Sequence, residues 1–220
     1  MRVTYEDVKR SEEIRTYITQ ADASLIALGY TEHSFAHVTR CAEVAGDLLA
    51  ELGYDEHQIE LCKIAAYMHD IGNVVNRHDH NVSGATMAFR ILDNMGMEPE
   101  DVAAVITAIG HHDDATAFPV NAIAAALILA DKTDVRRSRV RNRETINFDI
   151  HDRVNYAVER SEVSLDRDSK TFTLSLSINT EVCAMMDYFE IFLQRMLLCR
   201  KAAGFFDLTF KLDINGLTLL

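Results

Sequence analysis

Three histidines and one aspartate lie on or beside the apolar faces of four separate segments with helical spacing: His37, His69, His112 and Asp131. A single histidine on such a face is more often a core residue, but four polar side chains that face one core are hard to explain separately, and an ionised buried carboxylate needs a compensating partner. Neutral imidazoles and carboxylates bind divalent metal ions, whose charge offsets buried acids. The pattern therefore predicts a metal site.

His69 and Asp70 are adjacent, at the point where Ile71-Gly72 is expected to end a helix. Both side chains can then lie near one metal ion, and the two oxygens of a carboxylate can bridge two ions. Ligands of nitrogen and oxygen suit several divalent metals, and the sequence leaves iron, manganese, zinc, cobalt, nickel and magnesium open. The cysteines are far apart in the sequence without a CxxC pair, so we expect buried, reduced thiols and no cysteine-based zinc site.

The order His37, His69-Asp70, Asp131 resembles the H…HD…D signature of the HD-domain superfamily of metal-dependent phosphohydrolases. EHSFAHVTRCAEVA is similar to the H-x-x-R element of that family, with Arg40 as the arginine, and His69-Asp70-Ile71-Gly72 is similar to its HDIG form. His80-Asn-Val-Ser-Gly84 resembles the H-x-x-x-G element, His111-His112 resembles the paired histidines, and ILADKTD resembles the segment of the last aspartate. The resemblance covers roughly residues 31–143.

That resemblance implies a site in which His37, His69, Asp70 and Asp131 hold a first metal ion. His80, together with His111 or His112, would hold a second ion that shares Asp70, and two ions are favoured over one. His69 and Asp70 are thus the central catalytic residues, and a metal-activated water would attack the phosphorus without a covalent enzyme intermediate. His33, one helical turn before His37, is a ligand, a residue that orients a ligand, or a surface residue; the second is slightly favoured.

Two features depart from the family pattern. Asn73 stands where the HDIG form commonly has lysine, which leaves a proton donor or phosphate contact in doubt. No Gly-Tyr-Pro element occurs, so a cyclic-dinucleotide phosphodiesterase is not supported. The remaining histidines, His57, His78 and His151, match no motif and are predicted to lie on the surface.

The net charge of −12 argues against a nucleic-acid surface, but one segment is basic. Its cations are Lys132, Arg136, Arg137, Arg139, Arg141 and Arg143. This segment either attracts a small phosphorylated substrate or is a solvated helix face. Arg77, Lys132, Arg136 and Arg137 are therefore candidates for substrate binding.

Apolar periodicity predicts that the site is positioned by a mainly α domain, the HD-domain helical bundle, over residues 1–150. The predicted helices include 6–28, 34–52, 82–95 and one that begins at Pro99. Alternating apolar residues then predict a small C-terminal α+β part with the order ββαβ over residues 151–220. This part is compatible with a homodimer, although the oligomeric state is left open.

No signal sequence or membrane span is evident, so we expect a cytoplasmic protein without membrane contact. The leading hypothesis is an enzyme of the ester-hydrolase class that cleaves a phosphate ester or anhydride of a nucleotide or similar small molecule. Two alternatives are a non-catalytic nucleotide sensor, which should have lost a metal ligand, and an HD oxygenase with a di-iron site. None of the ligand positions appears lost in this sequence.

Overall fold

The computed structural model describes residues 3–113, 116–141 and 150–219, and these divide into two compact units, 1–131 and 132–220. The first unit is helical, and the second carries a sheet. The expected fold class, mainly α with a small C-terminal α+β part, is confirmed. The domain boundary predicted at residue 150 stays a prediction. Arg143 of the basic segment lies outside the described residues.

The first unit holds seven described α-helices and one short 3₁₀ helix, Ile71–Val74. The α-helices are α1 Tyr5–Arg10, α2 Glu12–Ala27, α3 Phe35–Glu51, α4 Glu56–Met68, α5 His80–Asn94, α6 Pro99–Gly110 and α7 Ala122–Lys132, the last residue of which belongs to the second unit. Helix α3 packs against α4, and α5 packs against both α6 and the 3₁₀ helix. The core is formed by the apolar stripes that the sequence predicts, and residues 124–129 of α7 are fully buried.

The single N-terminal helix predicted over residues 6–28 is wrong, because the chain breaks at Ser11. The backbone of Ser11 is extended, and its hydroxyl accepts a hydrogen bond from the amide of Ile14, so that it caps α2. Two further caps follow the sequence pattern: Ser34 caps α3, and Asp55 caps α4. Pro99 occupies the first turn of α6.

Two glycines let the segment after Asp70 approach α5 closely. A Cβ atom at Gly72 would lie 2.0 Å from the carbonyl oxygen of His80 and 2.5 Å from the amide nitrogen of Gly84. A Cβ atom at Gly84 would in turn lie 3.2 Å from the carbonyl oxygen of His69. The first distance is impossible for any other residue without a backbone shift, so glycine at position 72 is what brings Asp70 and His80 together.

The second unit contains α8 Ile150–Ala157, α9 Met185–Phe205 and a four-stranded sheet. The strands, in the spatial order β1-β2-β3-β4, are β1 Val158–Asp166, β2 Thr171–Ile178, β3 Thr209–Ile214 and β4 Leu217–Thr218. Strands β1 and β2 form an antiparallel hairpin, and α9 connects β2 to the parallel strand β3. Helix α9 packs against β3. Asn215 and Gly216, both with positive φ, form a tight turn to β4, a fourth strand that the predicted order ββαβ did not include.

Among the described residues, no helix has the length and apolar character that a membrane crossing would need.

Candidate metal centre

The first four predicted ligands converge inside the helical unit. His37 lies in the first turn of α3, His69 and Asp70 follow the end of α4, and Asp131 lies near the end of α7. His37 Nε2 is 3.3 Å from Asp131 Oδ1 and 3.6 Å from Asp70 Oδ2. His69 Nε2 is 3.3 Å from Asp70 Oδ2 and 3.8 Å from Asp131 Oδ1. Two imidazoles and two carboxylates thus face one small volume.

Two more histidines extend this cluster on the other side of Asp70. His80 is the first residue of α5, and His112 follows α6. His80 Nε2 lies 3.4 Å from Asp70 Oδ1 and 3.2 Å from His112 Nε2. One oxygen of Asp70 therefore faces His37 and His69, and the other faces His80.

Backbone carbonyls fix the orientation of three of these imidazoles. The Nδ1 atoms of His69, His80 and His112 lie 2.7, 3.1 and 2.6 Å from the carbonyl oxygens of Ala66, Arg77 and Ile109. A carbonyl oxygen only accepts hydrogen bonds, so each Nδ1 is the donor and, in the neutral ring, Nε2 keeps its lone pair. The Nε2 atoms of His69 and His80 lie 3.3 and 3.4 Å from Asp70 oxygens, and that of His112 lies 3.2 Å from His80 Nε2. Such support is typical of histidines that bind metal.

Two buried atoms at the centre of the cluster, His69 Nε2 and Asp70 Oδ2, make no hydrogen bond to any residue that the structure describes, although they lie 3.3 Å from each other. Both residues are at least nine-tenths buried. Leaving such an atom unsatisfied costs about 1–3 kcal/mol, and more for a charged group. A divalent cation would satisfy a lone pair of each atom, and a donor set of imidazole nitrogen and carboxylate oxygen suits such an ion. The residues present therefore fit a metal ion.

The charges of the cluster also favour a bound cation. Burial raises the pKa of Asp70, but His69 and the other nearby histidines outweigh it and hold that pKa well below its usual range. Burial likewise opposes protonation of His69, whereas Asp70 and Asp131 raise its pKa above the usual value. The two carboxylates thus favour positive charge beside His69. A divalent ion would supply that charge in place of a proton.

Asn73 has a role that the sequence did not reveal. Its side-chain amide donates to Asp70 Oδ1 at 2.9 Å and to the Asp70 carbonyl oxygen at 3.0 Å. Its own oxygen accepts a hydrogen bond from Arg77 at 3.3 Å. Asn73, which stands where the HDIG form commonly has lysine, therefore supplies a neutral side chain that orients Asp70. Only the position of Asn73, three residues after Asp70, could have signalled this contact.

The paired histidines have different surroundings. His112 is buried within the cluster, whereas His111 is half-buried and its Nδ1 donates to the Thr107 carbonyl oxygen of its own helix at 2.9 Å. The ring of His33 contacts the ring of His37 edge to face at 5.5 Å, and its Nδ1 lies 2.7 Å from the carbonyl oxygen of Thr31. Arg40 lies on α3 and is half-buried. The metal-binding and orienting roles of all these residues stay predictions.

An open groove of about 520 Å³ adjoins the cluster through Arg77. Its lining comprises Leu28, Tyr30, Asn76, Arg77, His78, Asp79 and Asp113. The Arg77 guanidinium lies 5.6 Å from the centre of the Tyr30 ring, and its Nη1 lies 3.4 Å from His80 Nε2. Asp113 Oδ1 approaches His80 Nε2 to 4.0 Å. Tyr30 and Asp113 were not predicted from the sequence, although Asp113 directly follows the paired histidines.

The other candidate substrate-binding residues, Lys132, Arg136 and Arg137, belong to the second unit. Lys132 is buried there. Arg136 binds the carboxylate of Asp134, and the Arg137 guanidinium lies over the ring of Tyr156. Their predicted contact with substrate stays a prediction. His57, predicted as a surface residue, is half-buried, with its Nε2 2.7 Å from Asp101.

Relatives were found by sequence and by structure. The uncharacterized protein MJ1020 of Methanocaldococcus jannaschii is 25% identical over 203 residues, which cover 82% of this chain and 78% of that protein. Ribonuclease Y of Cutibacterium acnes is 32% identical over 124 residues, 53% of this chain but 22% of that enzyme. Ribonuclease Y of Thermobifida fusca is 33% identical over 138 residues, 57% of this chain and 26% of that enzyme. This chain thus matches only a small part of either ribonuclease.

A solved structure of a predicted HD superfamily hydrolase from an uncultured Thermotogales bacterium matches 60% of this chain and 73% of its own, with a TM-score of 0.47 and 26% identity. The HD domain family matches residues 34–144, about half of the chain. That range contains His37, His69-Asp70, His80, His112 and Asp131, which form the buried cluster described above. The chain belongs to the HD-domain family.

Proposed function

We propose that the chain is a metal-dependent phosphohydrolase that cleaves a phosphate ester or anhydride of a nucleotide or similar small phosphorylated molecule. The observation that carries this function is the arrangement around Asp70. One of its oxygens is buried beside His37 and His69 without a hydrogen bond from the part of the chain that the structure describes, and the other faces His80. A carboxylate that lies between two groups of imidazoles suits a centre of two metal ions, to which it would be a common ligand.

Divalent ions in such a centre lower the pKa of a bound water and polarise a phosphoryl oxygen. His37, His69, Asp70 and Asp131 would hold one ion, and His80 and His112 a second. The carbonyls that accept from Nδ1 of His69, His80 and His112 keep those rings in place, and Asn73 keeps Asp70 in place. The buried position of the cluster limits competing water.

Arg77 is the cation best placed to contact substrate. Its Nη1 is 3.4 Å from His80 Nε2, and it also lines the groove. A guanidinium there would bind a phosphate oxygen and favour negative charge that develops on it. Tyr30 offers an exposed ring in the same groove, on which a nucleobase would stack.

Similarity to ribonuclease Y supports a nucleotide-derived substrate, since ribonucleases cleave phosphodiester bonds in RNA. A small substrate is favoured over a polynucleotide because Asp79 and Asp113 line the groove and the net charge is −12. A sensor that does not catalyse is disfavoured, because the buried donor set is complete.

The test measures phosphate release or phosphodiester cleavage by the metal-loaded chain. Substrates would include nucleoside mono-, di- and triphosphates, dinucleotides and a short RNA, each with Mn²⁺, Co²⁺, Ni²⁺ or Fe²⁺. We expect turnover of one class of small substrate, loss with chelator, and loss in Asp70→Ala at unchanged helix content. Activity that survives both treatments would contradict the proposal. Preference for RNA would change the substrate, and metal binding without hydrolysis would favour the sensor or oxygenase.

A further inference from the structure

A thiol lies at one end of the candidate metal centre. Cys41 is one helical turn after His37 on α3 and is fully buried. Its sulfur lies 3.7 Å from Nδ1 and 3.8 Å from Nε2 of the His37 ring. The sulfur thus contacts the His37 ring at nearly equal distances from its two nitrogens.

The sulfur belongs to a group of four donor atoms. Cys41 Sγ, one ring nitrogen each of His37 and His69, and a carboxylate oxygen of Asp131 all lie within 4.8 Å of one another. Independent support comes from His69, whose buried Nε2 makes no hydrogen bond within the described residues. The thiol alone would indicate nothing, but the same group contains a buried imidazole nitrogen that is free to bind a metal ion.

The opposite end of the centre has different donors. There the donor atoms that lie within 4.8 Å of one another belong to His69, Asp70 and His112, which offer only nitrogen and oxygen. Thiolates favour softer metals such as Zn²⁺ over Mg²⁺ or Mn²⁺, which prefer oxygen. A centre with sulfur at one end alone would present two unlike metal positions.

We propose that Cys41 is a metal ligand, which makes the position between His37, His69 and Asp131 selective for thiophilic divalent ions. As the sulfur–metal bond forms, the thiol proton leaves to solvent, and no electron is transferred. This inference rests on the metal site of the proposed function but does not depend on hydrolysis. It adds a soft donor to a site otherwise made of imidazole and carboxylate.

The test is a spectroscopic titration of the metal-free full-length chain with Co²⁺ alone. A cobalt–thiolate bond gives a charge-transfer absorption band in the near ultraviolet that imidazole and carboxylate do not give. We expect this band in the wild type and its loss in both Cys41→Ser and Cys41→Ala. Cys62→Ser is the matched control, because Cys62 is also fully buried in the helical unit and burial raises its pKa to about 12.

A second readout is metal preference. We expect Cys41→Ala to weaken Zn²⁺ binding by about 10-fold or more while Mn²⁺ binding is unchanged. Co²⁺ binding without the band, or a band that persists in both Cys41 variants, would overturn the role of Cys41 but leave the metal centre intact. Failure of the wild type to bind any Co²⁺ would overturn both.

Discussion

The two units of the chain each bury a carboxylate, and they compensate it in opposite ways. In the second unit Asp134 is fully buried and is bound by two arginines: Arg136 contacts both carboxylate oxygens, at 2.5 and 2.9 Å, and Arg139 lies 3.7 Å from one of them. In the first unit the neighbours of Asp70 are histidines and the neutral amide of Asn73, and among the described residues nothing donates a hydrogen bond to its Oδ2. Arginine is a permanent cation, whereas a neutral imidazole carries no charge.

This difference separates a structural cluster from a binding cluster. A buried carboxylate with built-in cations is complete without a ligand, because the guanidinium groups supply charge and hydrogen bonds. The Asp70 cluster has no such built-in cation, so a bound metal ion would add to its stability. We call the Asp134 group the closed cluster and the Asp70 group the open cluster.

The largest effect is expected from Asp134→Ala. The change leaves buried Arg139 and its neighbour Arg136 without their carboxylate partner, and removal of one member of a buried ion pair costs about 3–5 kcal/mol. Chemical denaturation should therefore show a large loss of stability, while metal content per folded chain stays at the wild-type value. A stable Asp134→Ala protein that has lost its metal would reverse the roles assigned to the two clusters.

Metal addition should stabilise the open cluster and not the closed one. At a free metal concentration about 100 times the dissociation constant, binding to the folded state alone contributes about 2.7 kcal/mol. Hydrogen exchange should slow at the segments that carry the ligands, namely the start of α3, the end of α4 and the start of α5. Amides of β1–β3 that exchange through local opening, not through global unfolding, are the internal control, and their exchange rates should not change. Uniform slowing only in the sheet would contradict the assignment.

Asn73→Ala should weaken metal binding without removing a ligand. The amide of Asn73 holds Asp70 Oδ1, and loss of such a supporting partner lowers metal affinity by about 10–100-fold. Isothermal titration with Mn²⁺ measures the change. Asn76→Ala is the matched control on the same loop, since the Asn76 side chain accepts a hydrogen bond from the nearby backbone amide of His78. Equal affinities of the two variants would show that Asn73 does not position Asp70.

Arg77→Ala should raise KM by about 10-fold for the preferred substrate, because a charge-assisted hydrogen bond contributes about 1.5–3 kcal/mol. Arg90→Ala, an exposed arginine of α5, should leave KM unchanged.

Arg136→Ala tests whether the basic segment binds substrate. We expect this variant to lower the free energy of unfolding and to leave KM nearly unchanged, since Arg136 already binds Asp134. A KM that rises in Arg136→Ala and not in Arg77→Ala would move the phosphate contact to the second unit.

Much of the first unit follows from the sequence, because helices with apolar stripes and strong caps depend on local patterns. The ligands that lie on such stripes, His37, His69 and Asp131, were predictable for the same reason. The difference between His111 and His112 was not, since α6 ends at Gly110 and helical phase no longer applies beyond it. The proximity of Cys41 to His69 and Asp131 depends on tertiary packing, which no single segment encodes. The contact of Asn73 with Asp70 is local, at a spacing of three residues in the 3₁₀ segment, but the sequence does not show which way the amide points.

Local sequence also underestimated the sheet. Strand β1 begins at Val158, although only Val163 to Leu165 alternate clearly. Glu159, Arg160 and Glu162 are all exposed, and a bulge between Val158 and Arg160 interrupts the alternation. Pairing with β2 extends the strand beyond its apolar pattern. At Ser11 the error is opposite. The apolar periodicity suggested one continuous helix, but the Ser11 side chain caps a new helix and the chain breaks there.

The most direct test of the account is anomalous diffraction from crystals of the chain loaded with Mn²⁺ or Zn²⁺, with Asp70→Ala crystals as the comparison. We predict anomalous density between His37, His69, Asp70 and Asp131, with further density beside His80 and His112 if a second ion is held, and none there in Asp70→Ala. Metal density at other positions only, or density unchanged by Asp70→Ala, would contradict the claim that this cluster is a metal centre.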